Sequence, residues 1–433
     1  MPRDLPPRAH LRQLKHQAKD LVCAYRKQDK GVCSLLRRLR RFATASDAEI
    51  LSSSLKLSDA QFALALDYGF ASWNALKQAV SEHAQWAPDV SREGDAVFVR
   101  NLEQVAWGGP HAKQNSVMAA FEAAVAALGG TRDYDALMAT SGAAFRLQHK
   151  WCPSSPHAQC GFDCSELAAR AAGYRLDWLR AKDARVGDWQ YAEGLATAHA
   201  RATACIDEGS AVLWSSEECG LLVGYAESGE WLVRPYAPGE PGYTRTSDWP
   251  WYFGILKKNG EPLSGIESAV HVLQTAVRLA HTAAFGPYTS GFAAYERWVN
   301  ELRAGEIFSD EASWFQIALG NAHTYACLAD ARAAGSRYLE QLSTDLPDSP
   351  SVRVRQAAAA FAEVGQLVTG APDAPKPWQL FPWCFESPAE WTHDQRLAQA
   401  NVLEAARRAE ERGVAALEAA LSELGIEDLA LER

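Results

Sequence analysis

Gln114-Asn115-Ser116-Val117-Met118-Ala119-Ala120-Phe121-Glu122-Ala123-Ala124-Val125-Ala126-Ala127-Leu128-Gly129 is the stretch on which the fold turns. Small and apolar side chains fill nearly every position, and Gly129-Gly130 stops the run. A helix that is apolar all round belongs inside a large domain. Trp107-Gly108-Gly109-Pro110 precedes it and forces a turn. The N-terminus of a helix carries unpaired N–H groups and favours an anion or a thiolate. Asn115 and Ser116 stand at that place, and no cysteine does.

Around this helix the chain reads as α+β. Ala96-Val97-Phe98-Val99 before it is a strand. Tyr134 to Arg146 after it is a second helix with a small-residue break, and Asp163-Cys164-Ser165-Glu166 opens another that ends near Gly173. Strands follow at Ala211–Trp214, Gly220–Tyr225, Glu230–Arg234 and Trp249–Leu256, the middle two joined as a hairpin through Glu227-Ser228-Gly229. Helices followed by antiparallel strands are an α+β order. This central domain runs from 95 to 260, with 86–94 as a linker before it.

Both flanks read as helical. In residues 1–85, Leu11, Leu14, Ala18 and Leu21 recur at helical spacing, and Leu35, Leu36 and Leu39 lie among Arg37, Arg38, Arg40 and Arg41. Ser58 is the expected N-cap of a third helix. The basic face reads as solvated and packing on acidic surface, with an acidic partner or nucleic acid as the other reading. Leu11-Arg12-Gln13-Leu14-Lys15 and Tyr68-Gly69-Phe70-Ala71-Ser72-Trp73 resemble a short helical unit at the front of many bacterial proteins, some with ankyrin repeats. Residues 261–433 form further helices over about 266–284, 288–304, 310–344 and 350–369. Ser387-Pro388-Ala389-Glu390 reads as a capping box for a last helix reaching Leu424, with an interruption at Gly413. Tyr295, Trp298, Trp378, Trp383 and Trp391 are expected in the core of this part.

Composition narrows the function. A net charge of −10 argues against general nucleic-acid binding. The N-terminus lacks the apolar core of a signal peptide, and no apolar run approaches the ~20 residues of a membrane span. The 9 cysteines are odd in number and irregular in spacing, which points to free thiols in a reducing cytoplasm.

A resemblance sharpens this reading. The 114–129 helix, Tyr134–Met138, Ser141–Arg146, Ile206–Leu213 and Gly224-Tyr225 together are similar to the butirosin biosynthesis protein H N-terminal family. The likeness spans roughly 95–345, through Ala294–Trp298 and Asn321–Tyr325. It implies a papain-like fold and acyl transfer onto a cationic, aminoglycoside-like molecule. It places a nucleophile at Asn115 or Ser116, a base at Glu218 and an orienting residue near Arg234-Pro235. The usual cysteine and histidine are missing from these places, so the implied site is a degenerate triad.

Two constellations complete the candidate chemistry. The first is the loop Trp151-Cys152-Pro153-Ser154-Ser155-Pro156-His157-Ala158-Gln159-Cys160-Gly161-Phe162-Asp163-Cys164. Cys152, His157, Cys160 and Cys164 are four soft ligands of the kind zinc takes, although the spacing matches no common zinc motif. The same residues read first as a rigid proline-rich loop with small buried side chains, next as a reactive thiol or redox pair, with Cys164 near a helix start, and last as a metal set. The second is Trp214-Ser215-Ser216-Glu217-Glu218-Cys219, where paired carboxylates beside tryptophan suit a cation, or form an ordinary solvated turn.

The expected site therefore takes Ser116 or Cys152 as nucleophile, Glu218 as base, and backbone N–H groups near 115–117 as oxyanion donors. Gln114, Asn115, Trp151, Asp163, Trp214 and Glu217 are the expected ligand contacts. The expected partner is a small molecule, cationic or amide-bearing; no membrane and no cofactor is expected, with zinc the one candidate. The alternative is a binding or sensing module without catalysis.

Overall fold

The computed structural model describes residues 11–77, 90–100, 102, 113–158, 160–180, 189–216, 218–236, 242–304 and 311–426. Glu217 and the stretch Trp107–Pro110 lie outside them. The chain divides into two compact units, Met1–Pro88 and Asp89–Arg433. Residues 95–260 and 261–433, set apart by the sequence reading, fall in the same unit.

The first unit holds helices α1 (Leu11–Arg26), α2 (Cys33–Leu36), α3 (Asp47–Ser52) and α4 (Leu57–Asp67). Leu14, Ala18, Leu21, Leu36, Ile50 and Leu64 share one buried core. Three arginines of its basic face pair inside the unit: Arg37 with Asp47, Arg38 with Asp67 at 3.5 Å and Arg41 with Asp59 at 2.8 Å. Ser58 is not the cap of α4. Lys56 holds that position, and its N–H donates to the Asp59 carboxylate at 2.9 Å, so the aspartate satisfies the helix start from inside the first turn.

The second unit is α+β. Its large sheet contains β1 (Val90–Glu93), β2 (Ala96–Val99), β4 (Tyr174–Arg180), β5 (Val212–Ser215), β6 (Cys219–Ala226), β7 (Trp231–Arg234), β8 (Thr244–Thr246) and β9 (Tyr252–Lys258). The strand order is β1-β2-β6-β5-β9-β4, and β7 joins β6 to β8. Every pairing is antiparallel. The expected linker is partly strand: Val90–Glu93 pairs with Ala96–Val99 across a tight turn in which Gly94 takes φ +60°. Its Arg92 and Glu93 are exposed, which gives an edge strand the composition of a linker. Strand β4, also unforeseen, alternates Arg175 and Asp177 with Leu176 and Trp178 and pairs with β9 along its whole length.

Helix α5 (Ser116–Ala127) buries Met118, Ala119, Ala120, Phe121 and Ala124 against β5, β6 and α6 (Tyr134–Thr140). After Thr140 the chain leaves the helical path, with Gly142 at φ +80°, so 141–146 is a turn. A small three-stranded sheet joins β3 (Gln148–His149) to β10 (Ala284–Phe285) and β11 (Tyr288–Ser290). Helices α7 (Cys164–Ala171), α8 (Trp189–Asp207), α9 (Gly265–His281) and α10 (Gly291–Arg303) complete the middle of the chain.

Three long helices follow: α11 (Glu311–Ser343), α12 (Asp348–Gly370) and α13 (His393–Glu423), with α12 packed on both neighbours. Ser387-Pro388-Ala389-Glu390 forms only a single 3-10 turn. The true start is Thr392, whose hydroxyl accepts the Gln395 N–H while the Gln395 side chain accepts from Thr392 N–H. Helix α13 runs unbroken through Gly413. A Cβ there would lie 3.3 Å from Ala360 and 3.4 Å from the Phe361 ring, so the glycine serves close approach of α12. Tyr295, Trp298 and Trp391 are core, as expected, whereas Trp378 and Trp383 are exposed.

A buried ion pair links these helices to the rest of the unit. Arg332 on α11 and Glu410 on α13 are 0% and 1% exposed. Nε and one terminal nitrogen of Arg332 donate to the two Glu410 oxygens, each at 2.7 Å. Tyr295 O–H donates to the same carboxylate at 2.7 Å, and the other guanidinium nitrogen holds the carbonyls of Ala144 and Arg146.

Candidate functional site

A cavity of about 2090 Å³ opens between the start of α5, the β5–β6 turn, the loop after β3, and one face of α11 and α12. Ser116 stands at its wall and is 2% exposed. Its Oγ donates to Glu218 Oε2 at 2.5 Å and accepts from Cys219 N–H at 3.1 Å. The two residues are 102 positions apart in sequence and meet because the start of α5 abuts the β5–β6 turn.

The helix start is already satisfied. The Asn115 side chain caps α5 by accepting Met118 N–H at 3.0 Å. Asn115 N–H donates to the Tyr134 hydroxyl at 3.0 Å, and Gln114 N–H donates to Asp330 at 3.1 Å. Tyr134 O–H donates to the same Asp330 oxygen at 2.6 Å. The oxyanion-donor role expected near 115 is thus corrected for Asn115, whose N–H is committed to a phenol. Glu218 and Asp330 place carboxylates at the positive end of α5, which attracts negative charge. Burial pushes the Asp330 carboxyl up despite the donors around it, and burial with the Asp330 charge pushes the Tyr134 phenol well up.

Among the described lining residues, Glu122, Asp133, Asp135, Asp163, Glu218 and Asp330 are acidic and Lys113 and Arg337 basic. Both bases are ion-paired, to Glu122 and to Asp135, so the lining carries a negative excess. Aromatic rings share the surface: Trp178, Trp251 and Tyr252 from the sheet side, Trp378, Phe381 and Trp383 from two 3-10 turns. Tyr236, just beyond β7, lines the cavity where the orienting residue was expected, and its O–H donates to Lys113 O at 2.6 Å. Burial and the Glu218 charge push its phenol up.

The expected residues divide. Ser116, Glu218, Gln114 and Asp163 line the cavity. Asp163 also caps α7 through Ser165 N–H at 2.8 Å. Trp214 is not a contact: it is buried edge-on against Phe253, because side chains alternate along β5 and this one faces the core. Trp151 packs on His149 and the helical core. Cys152 does not join Ser116; its thiol faces Ser154 Oγ at 3.1 Å. Cys164 opens α7 but is buried, and that burial raises its pKa, so the helix start yields no reactive thiol there.

The four-residue metal set in the loop is also corrected. Among the described residues, the group whose donor atoms come within 4.8 Å of one another is His157, His323 and Cys327. The loop sends His157 inward to α11 while Cys160 stays exposed. Burial, with His323 and Arg146 nearby, lowers the His157 pKa well below its usual value. Burial, Asp330 and Glu218 raise the Cys327 thiol. His323 and Cys327 went unnoticed in the sequence, although ligand-type residues four apart on a helix share one face.

No known protein family and no curated protein matches this chain. Among the described residues no helix is long and apolar enough to cross a membrane.

Proposed function

We propose that the second unit takes up a small cationic or amide-bearing molecule in this cavity. The observation that carries the reading is the lining itself, an acidic excess interleaved with aromatic faces around a cavity larger than the ~300–1,000 Å³ of an ordinary ligand pocket, with room for an extended polycation. The resemblance to the butirosin protein H family points the same way, and a papain-like arrangement of α5 against β5 and β6 is part of this proposal. Calorimetric titration with spermine and with an aminoglycoside, at low and high salt, tests it. Binding weakens with salt, and Glu218→Gln weakens it by about tenfold, the equivalent of one charge-assisted hydrogen bond. Equal binding of a neutral polyol of the same size overturns the reading.

A second reading, acyl transfer or amide hydrolysis, is favoured by the Ser116–Glu218 hydrogen bond. Glu218 would take the hydroxyl proton as Ser116 Oγ bonds to the carbonyl carbon and the carbonyl π pair moves to oxygen. It would return that proton to the nitrogen as the C–N bond breaks and the amine leaves, and water or an acceptor amine would then take the acyl group from Ser116. Ser116→Ala and Glu218→Gln then each abolish turnover of an acyl-amine substrate. Full turnover in both variants removes this reading and leaves the binding one standing.

A further inference from the structure

We propose that His157, His323 and Cys327 form a zinc site with one coordination position directed to the cavity. His323 and Cys327 lie one turn apart on α11, and His157 reaches them from the loop after β3. One donor atom from each falls within 4.8 Å of the other two. Cys327 Sγ and His157 Nε2 are 3.5 Å apart. A tetrahedron with Zn–N of ~2.0 Å and Zn–S of ~2.3 Å puts its donors about 3.3–3.6 Å apart, so closing on the ion needs only small side-chain movement.

The surroundings are those of a supported ligand set. His323 Nδ1 lies 2.9 Å from Pro153 O, so its ring N–H belongs to that carbonyl and its lone pair lies on Nε2. Metal-bound histidines are held in this way by a backbone carbonyl on the far nitrogen. The carbonyl is brought close by Gly320, where a Cβ would lie 2.7 Å from Cys152 N. The carboxylates of Asp330 and Glu218 are near enough to act on Cys327 by charge, a field that favours a cation. Two imidazoles and one thiolate suit zinc, and three protein ligands leave a tetrahedral ion one position for water or a ligand donor. His157 and His323 both line the cavity, which gives that position its outlet.

The metal site shares its cavity with the proposed cation site, but its test does not use a polyamine, so either can fail alone. The full chain, purified without chelator, carries one zinc per molecule by mass spectrometry. Replacing zinc with Co²⁺ gives visible d–d bands and a near-ultraviolet thiolate-to-cobalt band. Cys327→Ser removes the thiolate band. His323→Gln and His157→Gln weaken Co²⁺ by at least the roughly 10–100-fold that loss of a mere supporting partner costs. Cys152→Ser, Cys160→Ser and Cys164→Ser keep the spectrum. Should Cys327→Ser fail to fold, alkylation of the unmodified chain with peptide mapping decides: Zn²⁺ protects Cys327 from reagent. A cobalt complex without a thiolate band, a band lost with Cys160 or Cys164 but not Cys327, or no protection by Zn²⁺ overturns the proposal.

Discussion

Replacing Glu410 by Ala gives the sharpest test of how the fold holds the site. The carboxylate accepts both forks of the Arg332 guanidinium and the Tyr295 hydroxyl, and none of the three residues is exposed. Truncation leaves a buried, unneutralised guanidinium, a loss of about 3–5 kcal/mol. It also orphans the tyrosine hydroxyl, about 1–3 kcal/mol more. The two losses overlap, because water entering the space left by the side chain can serve both groups, so about 4–6 kcal/mol is expected in total. That is a large fraction of the ~5–15 kcal/mol by which a domain is ordinarily stable, and nearly all of it at the lower end. Urea unfolding followed by tryptophan fluorescence measures it. The double variant Arg332→Met, Glu410→Leu buries no charge and is expected to recover at least about 2 kcal/mol relative to Glu410→Ala. A Glu410→Ala protein within about 1 kcal/mol of the parent would refute the claim that this buried pair ties α11 and α13 together.

Other expectations are shorter. Gly320→Ala forces a Cβ against the Cys152 backbone, so it costs about 1–3 kcal/mol and weakens Co²⁺ binding, both read on the purified variant. Gly370→Ala, with nothing close to its Cβ position, serves as its control. Trp378 and Trp383 border the cavity, so spermine changes the tryptophan emission, and Trp383→Leu reduces that change; an unaltered response places the ligand elsewhere. His149 is buried against Trp298, and that burial lowers its pKa although the Glu301 carboxylate opposes the shift. The unfolded chain then binds this proton first, so stability from His149 is intact above about pH 6.5 and falls as pH drops below it. His149→Gln flattens that acid limb in unfolding measured from neutral to mildly acid pH; an unchanged slope assigns the limb to other groups.

How much of this was legible in the sequence depended on the range of the signal. The 114–129 helix announces itself by local composition, and the hairpin by its Glu-Ser-Gly turn. The pairing of Ser116 with Glu218 is expected only through the family resemblance, which carries long-range information that local composition lacks. Strand β1 was hidden because an exposed edge looks like a linker. Trp378 and Trp383 looked like core, since the same indole suits a core or a rim and only the neighbouring helices decide. His157 was singled out with the wrong partners, because Cys327 lies 170 positions away and proximity in the chain favoured Cys160 and Cys164. The i, i+4 spacing of His323 and Cys327 was the available clue, and it is weak alone.

Helix α11 carries His323 and Asp330 toward the cavity, Cys327 toward His157 and Arg332 toward Glu410. Each residue added or lost between 320 and 332 would swing everything beyond it by about 100°. A single exchange in this segment alters one contact, whereas a change of length shifts them all. A one-residue insertion or deletion here would uncouple ligand chemistry from the interior in a single step, whatever residues were kept.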